Sequence, residues 1–331
     1  MTFALRRAAA MLGVLLALTV ALFALQQVSG TDPAKAYAGA NASQAALDAA
    51  RARLGLDEPF LPRYLHYLSG LLHGDLQNSL RTRTPVASDL AAVLPASLEL
   101  AACVLFLAVL LGSVFSYLCA SGARGAGIVR AILLSGAAAP TFLLGMVAVL
   151  VFYGHLGWLP AGGRTSVRDA PTGPTGLLLA DSLLAGRPDV FGDAVTHLVL
   201  PAVCAAIAPA VAIGRVLVDG LTANLEADHA RTARAAGLSE RAVLLRHAAC
   251  NSLGPALSMV GIQAGALLAG LVVVEKIFDW PGVGSYLDAS VAAADLPGIT
   301  GVALILGMVY VVLNAVVDIL QVVADRRLAL G

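Results

Sequence analysis

Few of the residue types capable of covalent, redox or metal chemistry are spaced to perform it in this 331-residue chain. A phosphate-binding loop needs G-x-x-x-x-G-K-[ST], in which glycine backbone cradles the phosphates and the lysine reaches them. Lys35 and Lys276 are the only lysines, and neither follows a glycine or precedes a serine or threonine. If ATP is used, its hydrolysis belongs to another chain. Cys103, Cys119, Cys204 and Cys250 stand in or beside apolar segments without CxxC spacing, so they read as small buried hydrophobes rather than zinc ligands. The six histidines are scattered, and His155 and His197 lie near the ends of apolar runs without HExxH or GxSxG. No catalytic residue, metal ligand or cofactor of this chain's own is expected.

The polar residues that remain fall into two groups. Arg215, Gln263, Asn314 and Asp318 sit within or at the ends of apolar runs, where an ionisable or amide group is a functional suspect by default. Asn314 and Asp318 are four residues apart and share a helical face, and a structural pairing of Asp318 with an arginine is favoured over a substrate contact. The second group is the charged island Glu226–Asn251, EADHARTARAAGLSERAVLLRHAACN. Glu226 and Asp228 are expected to open a helix at its positive end, with Arg231 and Arg234 in its later turns. Gly237 supplies a residue that tolerates a left-handed C-terminus, and Ser239 an N-cap for a second helix that begins at Glu240 and runs through Val243, Leu244 and Leu245. An ordinary solvated loop is the plainer alternative.

The elements that position these residues are set by composition. Apolar residues make up 59% of the chain and charged ones 13%, against nearer a quarter charged in soluble domains. The formal charge is zero, so neither a nucleic-acid surface nor an acidic tail is indicated. A bilayer-crossing helix needs roughly 20 mostly apolar residues. Stretches at about 8–28, 97–120, 129–154, 195–218, 252–274 and 299–323 qualify, which predicts an all-α polytopic membrane protein with six transmembrane helices. Pro140, Pro201, Pro209 and Pro255 predict kinks or helix starts within them. The run after Arg6 and Arg7 lacks a clean small-x-small cleavage site, so a retained span is expected rather than a signal peptide.

Arg6, Arg7, Arg124, Arg130, the island arginines, Arg326 and Arg327 would all fall on one side, which the positive-inside rule makes cytoplasmic along with both termini. The expected organisation is a first transmembrane helix at 1–30, an external subdomain at 31–94, and a five-helix core at 95–331 with a cytoplasmic loop at 219–250. In the subdomain, Leu47, Ala50 and Leu54 recur at helical spacing up to Gly55, and Phe60, Tyr64, Tyr67, Leu68 and Leu71 form a second amphipathic pattern. The segment at about 155–194 reads as a loop with little regular structure. Trp280, Pro281, Gly282, Val283 and Gly284 read as a tight turn, with Trp280 and Tyr286 at the membrane interface. Gly261, Gly265 and Ala269 permit close helix packing at a core seam or subunit interface.

Glu226-Ala227, with Gly237 eleven residues after Glu226, resembles the Glu-Ala-Ala loop of binding-protein-dependent ABC importer permeases. The stretches from Arg231 to Ser239 and Val243 to Ala248 are similar to the dipeptide, oligopeptide and nickel permease family. So, in order, are Leu54 to Asp57, Gly74-Asp75-Leu76, Leu94 to Leu100, Gly157 to Pro160, His197 to Pro201 and Glu275 to Gly284, which fit its B-type subunit. Asp228-His229-Ala230, Ala236 and Asp325-Arg326-Arg327 depart from the family's usual residues.

The resemblance implies a type I ABC importer permease fold in a bacterial inner membrane. It implies a second paralogous permease, two cytoplasmic ATP-binding domains that hold ATP and Mg, and an external substrate-binding protein. By it, Glu226, Ala227, Arg231, Arg234, Gly237, Leu238 and Ser239 would couple to the ATPase, and Trp280, Pro281, Gly282 and Gly284 would serve an outer gate or docking face. Short peptides are the implied cargo, with nickel or metal chelates as the alternative. An ion-coupled secondary transporter is the alternative of another class, although neither inverted repeats nor a buried carboxylate relay is visible.

Overall fold

Lipid offers no partner for an exposed backbone amide, so apolar runs of this length fold as helices. The computed structural model describes residues 2–28, 34, 38–39, 42–53, 59–122 and 126–324. Its helices are α1 (Thr2–Val28), α2 (Gln44–Arg53), α3 (Phe60–Leu72), α4 (Val86–Ala120), α5 (Ala126–Ala138) and α6 (Thr141–Ala148). They continue as α7 (Leu178–Leu184), α8 (Pro188–Glu226), α9 (Asp228–Ala235), α10 (Glu240–Val243), α11 (Ala249–Ile277), α12 (Val283–Ala292) and α13 (Leu296–Ala324). Two π-helical stretches interrupt this pattern: Val149–His155 extends α6, and Leu244–Ala248 joins α10 to α11. Among the described residues there is no β-strand, and Asn78 and Pro85 form an isolated antiparallel bridge.

Among the described residues, five helical stretches are long and apolar enough to cross a membrane, within α1, α4, α8, the run from α10 to α11, and α13. The count reaches six when Gly127–Ala138 and Thr141–His155 are taken as one broken span, bent by 108°. The sequence suggests a single stretch there. Pro140 breaks it, because it has no N–H to donate and pushes Ala139 off the helical region. Its own ψ of 137° is extended. Pro201, Pro209 and Pro255 are instead accommodated inside long helices. The expected loop at 155–194 also needs correction. It contains α7, and α8 begins at Pro188, where proline at the first turn and Asp189 suit a helix start.

The chain divides into two compact units. The first comprises Met1–Ser97 and Pro281–Val311. In it, Phe23 of α1 packs against Phe60, Tyr64 and Tyr67 of α3, and Thr19 shares a 2.9 Å hydrogen bond with the Tyr64 hydroxyl. Burial pushes the Tyr67 phenol up to about 12, with Tyr64 adding to the shift. Leu47 and Ala50 of α2 pack on Ala34, whereas Leu54 and Gly55 lie outside the described residues. A second core joins Val86 and Leu90 to Val283, Tyr286 and Val302. The fully buried Asp295 accepts hydrogen bonds from the Ser79 hydroxyl and from the backbone N–H groups of Leu80 and Gly298. That carboxylate fastens the segment before α4 to the start of α13.

The second unit comprises Leu98–Trp280 and Val312–Gly331. α8 packs along α11 and meets α5 and α6. α4 and α8 cross at a contact that only glycine permits: a Cβ on Gly112 would lie 2.8 Å from the Ala210 carbonyl, and one on Gly214 would lie 2.5 Å from Phe115. Gly261 faces Val317 and Asn314, so the small-residue stripe of α11 is a core seam with α13 at that position.

Candidate functional site

The island between α8 and α11 is a folded lever rather than a loose loop. Glu226 is the last residue of α8, not the first of the next helix as expected. The break falls at Ala227, whose ψ of 158° is extended and which stands as N-cap of α9 without a capping side chain. Asp228 therefore opens α9, and Glu226 lies beside its positive end from outside. The Ala230 and Ala233 face of α9 is buried against Val243, with Leu225 and Leu238 alongside. α9 ends in a reversal at Gly237, where φ is +84° and nothing lies within 4 Å of a would-be Cβ. Space is not the constraint there; a β-branched side chain would be strained by the backbone angle itself.

Ser239 then caps α10, its hydroxyl accepting from the Ala242 N–H at 3.3 Å. Arg234 braces the lever, donating to the Leu225 carbonyl at 2.9 Å and to both carboxylate oxygens of Glu240 at 2.8 and 3.2 Å. The bond to Glu240 raises the Arg234 pKa above its ordinary value. Arg234 and Leu238 are therefore engaged within the lever, whereas the Arg231 side chain is 73% exposed. Glu226, Asp228, His229, Arg231 and Thr232 form the solvent-facing surface. At the root, Leu221, Leu244 and Ala248 are buried together, and the Asn224 amide donates to the Gly220 carbonyl and the Ser252 hydroxyl. The root of the lever is thereby joined to both α8 and α11.

The second predicted site is of another kind. Trp280 is 1% exposed and Tyr286 7%, so neither is a membrane-interface aromatic. In the second unit, the Trp280 N–H donates to the Glu275 carbonyl at 2.8 Å, and Gly163 donates to the Phe278 carbonyl at 2.8 Å. The Arg164 guanidinium lies 5.8 Å from the Trp280 ring centroid and donates to Glu99 at 2.6 Å. The other oxygen of Glu99 accepts from Leu179 N–H at 2.7 Å. The left-handed residue of the turn is Asp279, with φ +45°, while Gly282 is extended. In the first unit, the Val283 N–H donates to the Ser97 hydroxyl at 2.7 Å, and the Tyr286 hydroxyl donates to Asp89 at 3.1 Å. Pro281 is exposed, but Gly282 and Gly284 are buried.

Glu99 and Arg164 were not among the residues that stand out in the sequence. The signal was a lone carboxylate in the apolar stretch Leu94 to Leu111, which membrane energetics alone should mark. Asp181 is similar: burial would raise its carboxyl, but hydrogen bonds from the Thr175 hydroxyl and the N–H groups of Thr175, Gly176 and Gly173 hold it below the usual range. Of the suspected intramembrane groups, Gln263 and Arg215 line different cavities. Gln263 lines a cavity of about 160 Å³ with Thr141, Pro209 and Leu267. Asn314 faces Gly261. Arg215 lines a separate cavity with Asp219, and Asp318 is half-buried on α13. The described residues contain no cluster of three or more His, Cys, Asp or Glu able to hold a metal.

The family described as binding-protein-dependent transport system inner membrane component matches residues 108–330, and the corresponding N-terminal family matches residues 1–101. A probable D,D-dipeptide transport system permease protein of Escherichia coli is 38% identical over 315 residues, covering 94% of this chain and 93% of the relative. A dipeptide transport system permease protein of Alkalihalophilus pseudofirmus is 32% identical over 341 residues, covering 99% of each. A di/tripeptide transport system permease protein of Pseudomonas aeruginosa is 34% identical over 331 residues, covering 99% of this chain and 98% of the relative.

Proposed function

This chain belongs to the binding-protein-dependent transport system inner membrane components, and from that premise we propose that it carries di- or oligopeptides inward, with α9 as the lever moved by a partner ATPase. It is a multi-pass inner-membrane permease, and ATP hydrolysis is the work of separate subunits. The peptide cargo is inferred from the relatives named above. The orientation is the one that places Arg130, Arg231 and Arg241 on the cytoplasmic side with both termini; Arg124, Arg326 and Arg327 lie outside the described residues.

The observation that carries this reading is the construction of the lever. A short helix is fixed on its buried side by alanines and Arg234, rooted in both α8 and α11, and left charged and exposed on the other side. That arrangement suits a rigid body seated in a groove of another protein. Closure of two ATP-binding subunits would draw this lever and that of a second permease together, tilt α8 and α11, and turn the pathway from outside to inside. A cargo-loaded binding protein would engage the opposite face. Selection among peptides would rest largely with that binding protein.

Cross-linking tests it. In the assembled importer, Arg231→Cys, placed in a variant whose four cysteines are replaced by alanine, should give a disulfide or bismaleimide product with the ATPase subunit and none with the binding protein. Cross-linking to the binding protein, or labelling of that cysteine only from outside intact cells, would reverse the proposed orientation and remove the lever assignment.

A further inference from the structure

A cavity of about 390 Å³ opens between the end of α4, the start of α5 and the last third of α8. That volume falls within the ~300–1,000 Å³ range of small-molecule sites. Phe115, Leu134 and Val218 form an apolar wall, and Arg130, Arg215 and Asp219 a charged one. The three charged residues are exposed, and none makes an ion pair or hydrogen bond with any described residue. Arg215 and Asp219 are four residues apart, but in the cation-first order that pairs less well on a helix. Helix dipoles give no reason for them either. Arg130 lies in the second turn of α5 and Asp219 seven residues before the end of α8, both beyond the terminal turn in which the dipole acts. Two guanidinium groups against one carboxylate leave the mouth positive.

Position narrows the ligand. Arg215 lies eleven residues before Glu226, about 16 Å along α8 from the lever. With the lever inside the cell, the cavity lies toward the cytoplasmic leaflet, where anionic lipids concentrate and basic pockets between spans take headgroups. The wall around it is apolar, and Ile128 and Ile132 of α5 are 67% and 65% exposed, so bare hydrocarbon-compatible surface adjoins the charges. We propose that this cavity binds the phosphodiester headgroup of an anionic phospholipid, with Arg130 and Arg215 holding the phosphate and Phe115, Leu134 and Val218 bordering the glycerol and the first acyl carbons. The proposal rests on the orientation given under the proposed function. A bound lipid would bridge α5 to α8, the helix that leads to the lever. A free phosphate would satisfy the same guanidinium groups but leave the apolar wall uncovered.

The test uses the intact importer complex in neutral detergent, with native mass spectrometry after addition of phosphatidylglycerol or phosphatidylcholine of matched chains. Phosphatidylglycerol should be retained in preference, and Arg130→Gln and Arg215→Gln should each weaken retention about fivefold. Asp219→Asn should strengthen it, a gain that misfolding does not produce. Equal retention of the two lipids, or retention unchanged in all three variants, overturns the proposal. Displacement of the lipid by millimolar inorganic phosphate assigns the site to a free anion, and displacement by millimolar dipeptide assigns it to cargo; either result overturns the lipid assignment. Binding-protein-stimulated ATP hydrolysis, measured on the same preparation, reports on the lever separately. Loss of lipid preference with normal stimulation sinks the lipid site alone, whereas absent stimulation with lipid preference intact sinks the lever.

Discussion

The Glu226–Ser239 lever and the knot around Trp280 look alike in the sequence: each is a short motif rich in glycine and polar residues beside an apolar span. In three dimensions they are built on opposite plans. The lever buries alanines and exposes charge; the knot buries its aromatics and the Glu99 carboxylate and exposes Asp279 and Pro281. Arg234 and Glu240 pair at the surface, so salt and water weaken their mutual attraction. Glu99 and Arg164 are 5% and 18% exposed, where a lost partner leaves a charge without water. A motif shared across a family can thus mark a place where partners touch or a place where the chain holds itself together. Burial tells the two apart. Changes on the exposed face of the lever should cost function without stability, and changes in the knot should cost both.

The largest effect tests the lever. Gly237→Val should reduce uptake and stimulated ATP hydrolysis to background while leaving membrane insertion intact, and Glu226→Lys should do the same. Gly237→Asn should retain most activity, because asparagine tolerates the left-handed region that φ +84° requires. Equal failure of valine and asparagine would show that the backbone angle is not what matters. Next comes the knot: Glu99→Ala should cost about 3 kcal/mol, seen as a lower midpoint and yield of solubilised protein. The double variant Glu99→Leu with Arg164→Met should recover most of that loss, since the desolvation cost of the ion pair goes with it. A stable but inactive Glu99→Ala would place the carboxylate in the transport path instead.

Smaller effects sharpen the contrast. Ser239→Ala should cost about 0.5–1 kcal/mol, confined to faster hydrogen exchange at Glu240–Val243. Arg231→Ala should leave stability unchanged and weaken only the association of the ATPase, read as a higher concentration for half-maximal assembly. A drop in thermal midpoint for Arg231→Ala would mean that the surface of the lever is not free.

The spans were legible because hydropathy over twenty residues averages away local detail. The lever was legible through its caps, since Ser239 and Gly237 each perform a backbone task that few residues can. Other features are not. By residue type Glu226 belongs with the following helix, because Ala227 breaks α8 with none of the residue types that usually announce a break. By residue type alone Trp280 suits a membrane interface, but the Arg164 guanidinium beside its ring, the Glu99 that holds Arg164, and Gly163, bonded to Phe278, lie more than a hundred residues away in sequence. The depth of the bend before Pro140 was hidden too, because proline predicts a break but not its angle.

The π-helical stretch Leu244–Ala248 has a consequence of its own. Such a bulge accommodates a residue more than a regular α-turn holds, and each α-helical residue sweeps about 100° around the axis. Deleting one residue within the stretch would restore ordinary winding and leave α9 at nearly the same angle to α11, whereas a deletion in the regular turns at the start of α11 would rotate α9 by about 100°. The surplus amino acid is therefore a buffer: the bearing of α9 tolerates its loss but not the loss of a neighbour on either side.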